Sequence, residues 1–160
     1  MKYKTTAKNP SKIIYFLAKP VLKIYLRNRI TTRVLIMKGN QALVIKNSIS
    51  SGHLSLPGGG LKRNEQPNEA LIREVREEIG FELNDDKLIY QGIYFAINDG
   101  LKYRYHLWFY KLTEDQTINR RSIEILEAFW VDINNLGSLK LSSELTNSLQ
   151  NWRNNPNLIK

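Results

Sequence analysis

The chain has 160 residues, enough for one domain with a sizeable core, and its mix of 42% hydrophobic and 24% charged residues is that of a folded rather than a disordered protein. It contains no cysteine, which excludes a disulfide scaffold, a thiolate metal site and a cysteine nucleophile, and agrees with a cytoplasmic location. Of the net charge of +9, eight units lie in residues 1–29, on Lys2, Lys4, Lys8, Lys12, Lys19, Lys23, Arg27 and Arg29, and the first acid of the chain is Glu65. The remainder is close to neutral, so the basicity belongs to an N-terminal appendage and does not make the whole molecule a nucleic-acid binder.

Residues 1–12 are polar, with Pro10 breaking any regular element. Residues 11–28 read as one helix or two helical pieces, with Ile13, Phe16, Leu17, Val21 and Tyr25 near one face and Pro20 as a kink. The apolar run Ile13–Ala18 is far shorter than the roughly 20 residues a membrane span needs, and Lys19-Pro20 follows it without a small-residue cleavage site, which argues against a signal peptide. From Ile30 the pattern turns to β structure: Ile30–Lys38 and Gln41–Ile45 flank Gly39-Asn40, a hairpin signal. Residues 47–60 are a Ser- and Gly-rich loop with a short strand around Leu54, ending in Leu56-Pro57-Gly58-Gly59-Gly60. Residues 66–79 form the clearest helix, with Pro67 in its first turn, Ala70, Leu71, Val75 and Ile79 on one face, and Gly80 as its stop. Strands are predicted over Leu88–Ile97 and Leu101–Leu112, turning at Asn98-Asp99-Gly100, and again over Glu124–Val131; Ser142–Trp152 closes the chain as a helix. Strands interleaved with helices imply an α/β fold, a mixed sheet flanked by helices. The expected division is a basic segment, 1–29, and one domain, 30–155.

Glu74, Glu77 and Glu78 are spaced i, i+3 and i+4, so they rise from one region of their helix. Alone, that pattern is also what a solvated acidic face looks like. The preceding loop changes its meaning. Three consecutive glycines permit positive φ and close approach of backbone to a ligand, and a Gly-rich loop held near three hard oxygen ligands suits Mg²⁺ or Mn²⁺ and phosphate. Arg73, four positions before Glu77, is placed to orient that carboxylate.

The stretch Gly59–Phe81 resembles the Nudix box, Gly-x5-Glu-x7-Arg-Glu-U-x-Glu-Glu-x-Gly-U with U bulky and apolar: Gly59, Glu65, Arg73, Glu74, Val75, Glu77, Glu78, Gly80 and Phe81 fill its nine defined positions. The order of elements from Ile30 to Trp152 is similar to that family's α/β/α sandwich. The resemblance implies a MutT-like pyrophosphohydrolase that uses Mg²⁺, or Mn²⁺, to cleave a diphosphate bond in a nucleoside diphosphate linked to another group, foremost a nucleoside triphosphate or a nucleotide sugar. It implies metal ligands at Glu74, Glu77 and Glu78, aided by the carbonyl of Gly58, with Arg73 holding the glutamates and Glu65 tying loop to helix. Glu124, six positions before Trp130, is the choice for an additional ligand or base, with Glu127 second. The metal would neutralise the diphosphate and lower the pKa of an attacking water; Glu74 or Glu124 would be the base. Two alternatives stand beside this reading: removal of pyrophosphate from RNA 5′ ends, and a nucleotide-sensing module without turnover, which the intact glutamates disfavour.

Other features add less. His53 reads as a loop residue and His106 as a packed strand residue; the two give no zinc signature. Tyr94, Tyr103, Tyr105 and Trp108 are candidates to stack on a base. The marks of particular subfamilies are missing: there is no proline about fifteen positions beyond the box, no extended coenzyme A motif before it, and Leu54 stands where nucleoside-triphosphate members often carry Trp. The basic segment admits three uses: a helix packing on the domain or on a homodimer partner, a peripheral contact with an anionic membrane surface, or electrostatic guidance of RNA.

Overall fold

The computed structural model describes residues 30–48, 52–98 and 100–155. The helix expected over 11–28 lies outside them. The described elements, in chain order, are β1 (Ile30–Lys38), β2 (Gln41–Asn47), β3 (Leu54–Ser55), α1 (Pro67–Ile79), a 3-10 turn (Asp85–Lys87), β4 (Ile89–Asn98), β5 (Leu101–Lys111), β6 (Ile125–Asp132) and α2 (Ser143–Asn154).

Two hairpins with different partners build the sheet. The turn between β1 and β2 has Gly39 at φ 56°, where a side chain is disfavoured, but the hairpin is brief: only Met37 and Lys38 face Ala42 and Gln41. The strands then diverge. β1 runs parallel to β5 from Ile30 opposite Arg104 to Met37 opposite Lys111, and β5 pairs antiparallel with the edge strand β4. β2 runs antiparallel to β6 along its whole length, and its other edge is shared between β1 at one end and β3 at the other. The divergence leaves the early part of β1 with one free edge. The glycine loop fills it: Thr32 N–H donates to the Gly59 carbonyl at 2.9 Å and Val34 N–H to that of Pro57 at 3.1 Å.

Alternation along the strands sends side chains to two cores. Val34 and Ile36 of β1 and Leu43 and Ile45 of β2 pack with Leu71, Val75 and Ile79 of α1. Leu35, Met37, Ala42 and Val44 point the other way, to Leu145, Leu149 and Trp152 of α2. The result is an α/β/α sandwich with a mixed sheet. Each fully buried Leu, Val or Ile contributes roughly 1.5–3 kcal/mol, so the three large apolar residues of α1 fix that helix firmly on the sheet. Its ends are well made: the Gln66 N–H donates to Glu69 Oε2 at 3.2 Å, Pro67 occupies the first turn, and Gly80, at φ 77°, turns the chain out while its N–H caps the Arg76 carbonyl. Burying one face of α1 commits Glu74, Glu77 and Glu78 to the side that borders the glycine loop.

Candidate active site

The three glycines do different things. Gly58 has φ 122°, and a Cβ there would sit 2.3 Å from the Thr32 carbonyl oxygen. A Cβ on Gly59 would lie 2.5 Å from the carboxylate of Glu74, while one on Gly60 would meet nothing within 4 Å. Of the three, positive φ is adopted at Gly58 alone, and Gly59 is small because a glutamate carboxylate occupies its side-chain space.

Arg73 is the hub of the loop–helix junction. Its Nε and Nη2 donate to the two oxygens of Glu65 at 2.7 and 2.9 Å, a paired geometry that guanidinium suits. Nη1 reaches Glu74 at 2.7 Å and, less closely, Glu77 at 3.3 Å, and Nη2 also holds the Gly60 carbonyl at 3.0 Å. Glu65 in turn accepts from the Lys62 N–H at 2.7 Å. The hydrogen bonds from Arg73 pull the Glu65 pKa down to about 2, and Glu65 raises that of Arg73 above its ordinary value.

Glu78 has a different environment. It is partly buried beneath the loop, and its Oε2 accepts from the Gly58 N–H at 2.9 Å. Burial pushes its pKa up to about 7, against the pull of Arg33 and the Gly58 N–H, and the charges of Glu74 and Glu124 push it further up. Glu124, exposed just ahead of β6, is therefore close enough to act on Glu78 electrostatically. Its carbonyl accepts from the Ser48 N–H and its N–H donates to Ser122 Oγ. Glu127 is also exposed, and pairs with Lys46 at 3.3 Å. Among the described residues no three His, Asp or Glu side chains are drawn together tightly enough to enclose a metal ion as they stand: Glu74 and Glu77 lean on Arg73, and Glu78 on Gly58. The donor set is nonetheless all carboxylate oxygen, and what raises Glu78 is burial first and then the like charges of Glu74 and Glu124, which a divalent cation would offset.

The other residues singled out from sequence have the following settings. His106 Nδ1 and the Tyr90 hydroxyl are 2.9 Å apart, and burial lowers the histidine pKa. His53 is a half-buried loop residue. Tyr105 is fully buried and so is no stacking platform, which corrects its place among the candidates. Trp108 donates to Thr32 Oγ1 at 3.1 Å, and the Tyr94 hydroxyl accepts from Asn151 Nδ2 at 2.7 Å.

Sequence reasoning passed over a polar cluster on the opposite face of β1. Arg33 shares its face with core residues Leu35 and Met37, and its Nε lies 3.7 Å from Oε2 of Glu144. The Glu144 side chain is 1% exposed, in the first turn of α2, and also accepts from the Tyr103 hydroxyl. At 3.7 Å the ion pair is too long for a hydrogen bond, and Arg33 Nε is buried without a hydrogen-bond partner, a loss of about 1–3 kcal/mol. Burial works to lower the Arg33 pKa, yet Glu144, with smaller contributions from Tyr103, Glu78 and Glu74, outweighs it and the net shift is upward. The available signal was a cation at a core-facing position of a strand.

The geometry thus defines a carboxylate-lined helix edge under a glycine loop. The family model described as NUDIX domain matches residues 27–151, and the chain belongs to the Nudix hydrolase family. It is 35% identical over 63 residues to an 8-oxo-dGTP diphosphatase of Proteus vulgaris, a match that spans 38% of this chain and 56% of that protein. The fold resembles that of a MutT Nudix hydrolase from Burkholderia pseudomallei, with TM-score 0.67 and 19% identity, over 76% of this chain and 95% of the other. It also resembles a bifunctional NMN adenylyltransferase/ADP ribose pyrophosphatase from Francisella tularensis, solved with AMP and a Mn ion, with TM-score 0.65 and 18% identity, over 88% of this chain and 47% of the other.

Proposed function

We propose that the protein is a metal-dependent pyrophosphohydrolase that cleaves a diphosphate bond in a nucleoside diphosphate linked to another moiety, with a nucleoside triphosphate or a nucleotide sugar as substrate. The observation that carries this reading is the setting of Glu78: a carboxylate tucked beneath the glycine loop against the Gly58 N–H, its pKa raised to about 7 by burial first and then by the charges of Glu74 and Glu124. Such an excess of negative charge is costly unless a cation answers it. Glu74, Glu77 and Glu78, with Glu124 and the Gly58 carbonyl, would hold Mg²⁺ or Mn²⁺. A divalent cation supplies charge neutralisation of the diphosphate and activation of water.

The chain itself supplies position. Arg73 fixes Glu74 through a 2.7 Å hydrogen bond, and the Gly58 N–H fixes Glu78. Glu74 or Glu124 takes the proton of the attacking water, which adds to phosphorus as the leaving phosphate departs; no covalent enzyme intermediate is required. The relatives' names support a nucleotide substrate: one acts on 8-oxo-dGTP and another is an ADP ribose pyrophosphatase. We read residues 30–155 as the catalytic domain, working in the cytoplasm; none of the described helices is long and apolar enough to cross a membrane. Residues 1–29 are read as its basic appendage, suited to a homodimer contact, an anionic membrane surface or RNA.

A panel of nucleoside diphosphate derivatives, nucleoside triphosphates and triphosphorylated RNA, assayed with Mg²⁺ or Mn²⁺ against wild type and Glu78→Gln, tests this. The expected result is turnover of at least one compound, reduced by about two orders of magnitude or more in the variant. No turnover by the pure protein, or equal turnover by Glu78→Gln, would overturn the reading. Sedimentation of the same proteins with anionic vesicles separates a membrane role of the appendage from an RNA role.

A further inference from the structure

Arg33 is built as a cation with unused donors. The buried Glu144 carboxylate, which accepts from the half-buried Tyr103 hydroxyl, lies behind it, yet the guanidinium stands 3.7 Å from that carboxylate and its Nε has no hydrogen-bond partner. A side chain placed only to neutralise Glu144 would close to hydrogen-bond distance, because guanidinium and carboxylate gain most when their N–H and O atoms meet directly. The side chain retains 15% exposure, so part of it is reachable from solvent. Its backbone adjoins the catalytic loop: a Cβ on Gly58 would lie 3.2 Å from the Arg33 Cα, and Gly58 is the residue whose N–H holds Glu78. The charges of Glu78 and Glu74 are felt at the guanidinium as well. Arg33 therefore has a buried anchor on one side and lies within the electrostatic reach of the box carboxylates.

We propose that Arg33 is a substrate-binding residue: steadied by Glu144, its guanidinium donates to a non-bridging oxygen of the substrate's diphosphate. Glu144 and Tyr103 are then positioning residues that act through Arg33. The inference rests on the hydrolase reading and names how that site receives its substrate. An anion suits the place, because the guanidinium keeps a solvent-reachable part beyond its 3.7 Å contact with Glu144, and a phosphate oxygen there supplies a charge-assisted acceptor that this long ion pair does not. A divalent cation on the box glutamates and Arg33 would grip the diphosphate from two directions.

The test uses methylenediphosphonate, a non-hydrolysable diphosphate with no base or sugar, titrated with Mg²⁺ into the full-length protein by calorimetry. Arg33→Gln is expected to weaken binding roughly tenfold or more, the size of one charge-assisted contact, with Arg33→Lys in between. Because Arg33→Gln leaves the buried Glu144 without its cation and can fail to fold, the double variant Arg33→Gln/Glu144→Gln is measured beside it, with thermal unfolding of each. That double variant restores charge balance without restoring the donor, so it is expected to be stable and still to bind weakly. Recovery of wild-type affinity in the double variant, unchanged affinity in Arg33→Gln, or no binding by wild type each overturns the proposal. The outcome is separable from the hydrolase reading: turnover that depends on Glu78 while diphosphonate affinity ignores Arg33 rejects the role of Arg33 and keeps the enzyme.

Discussion

Arg73 and Arg33 each face a glutamate, and the two sites use the same chemistry to opposite ends. Arg73 spends its N–H groups on Glu65, Glu74, Glu77 and the Gly60 carbonyl, with contacts between 2.7 and 3.3 Å. Arg33 stops at 3.7 Å from Glu144 and leaves Nε unpaired. A saturated guanidinium is a rivet: it holds loop to helix and has little left to offer a ligand. An unsaturated one, backed by a buried carboxylate, is a receptor. The glycine loop runs between them, with Gly58 against the backbone of Thr32 and Arg33 and Gly59 against the carboxylate that Arg73 holds.

That arrangement makes the three glycines a graded test of which side matters for what. Gly58→Ala combines a positive φ with a backbone collision at 2.3 Å that no rotamer can relieve, and is expected to cost about 3 kcal/mol in urea unfolding along with all activity. Gly59→Ala meets only the mobile end of Glu74, so stability should fall by about 1 kcal/mol or less while turnover drops at least tenfold, because Glu74 is displaced from Arg73. Gly60→Ala, in open space, should be neutral or stabilising by roughly 0.5 kcal/mol. Equal losses across the series would show that the loop is merely a flexible spacer.

The next largest effect belongs to the rivet. Arg73→Lys keeps the charge but loses the fork that binds both oxygens of Glu65, and is expected to cost about 2 kcal/mol. Glu65 would lose the hydrogen bonds that hold its pKa near 2. That depressed value stabilises the fold above the ordinary carboxylate range and is lost as pH falls toward 2, so the gap between Arg73→Lys and wild type should narrow on acidification. A gap independent of pH between 7 and 3 would mean that Arg73 acts through packing of its stem, and the contrast with Arg33 would lose its electrostatic basis.

How much of this the sequence disclosed follows from the distance over which each contact acts. The box contacts, Arg73 to Glu65 and the adjoining Gly58 to Glu78, join positions in one short stretch, so their spacing is visible as a pattern. The helices α1 and α2 and the hairpin turns are visible as periodicity and turn chemistry, with boundaries displaced by a residue or two, as at β6. The parallel pairing of β1 with β5 is not, because alternation specifies which face a residue takes and says nothing of which strand lies beside it. Arg33, Tyr103 and Glu144 come from β1, β5 and α2 and meet only through that pairing. For the same reason Tyr105 looked like an accessible aromatic, although its place on the α2-facing side of β5 buries it fully.

Glu78 gives the smallest effect and the most diagnostic one, because it receives no hydrogen bond from Arg73 and lies within the electrostatic reach of Arg33. Its pKa is raised to about 7 in the folded protein, above its ordinary value. The folded state therefore binds a proton that the unfolded state has released, and stability without metal falls as pH rises from the ordinary carboxylate range through about 7. Glu78→Gln removes that titration. At pH 8 without metal the variant is expected to be more stable than wild type by about 1 kcal/mol, with the advantage gone at pH 4. Mg²⁺ should reverse the order, raising the Tm of wild type and leaving the variant where it was. A carboxylate kept for packing would show neither reversal, so thermal unfolding at two pH values, with and without Mg²⁺, separates a residue that destabilises its own fold to await a cation from one that merely fills space.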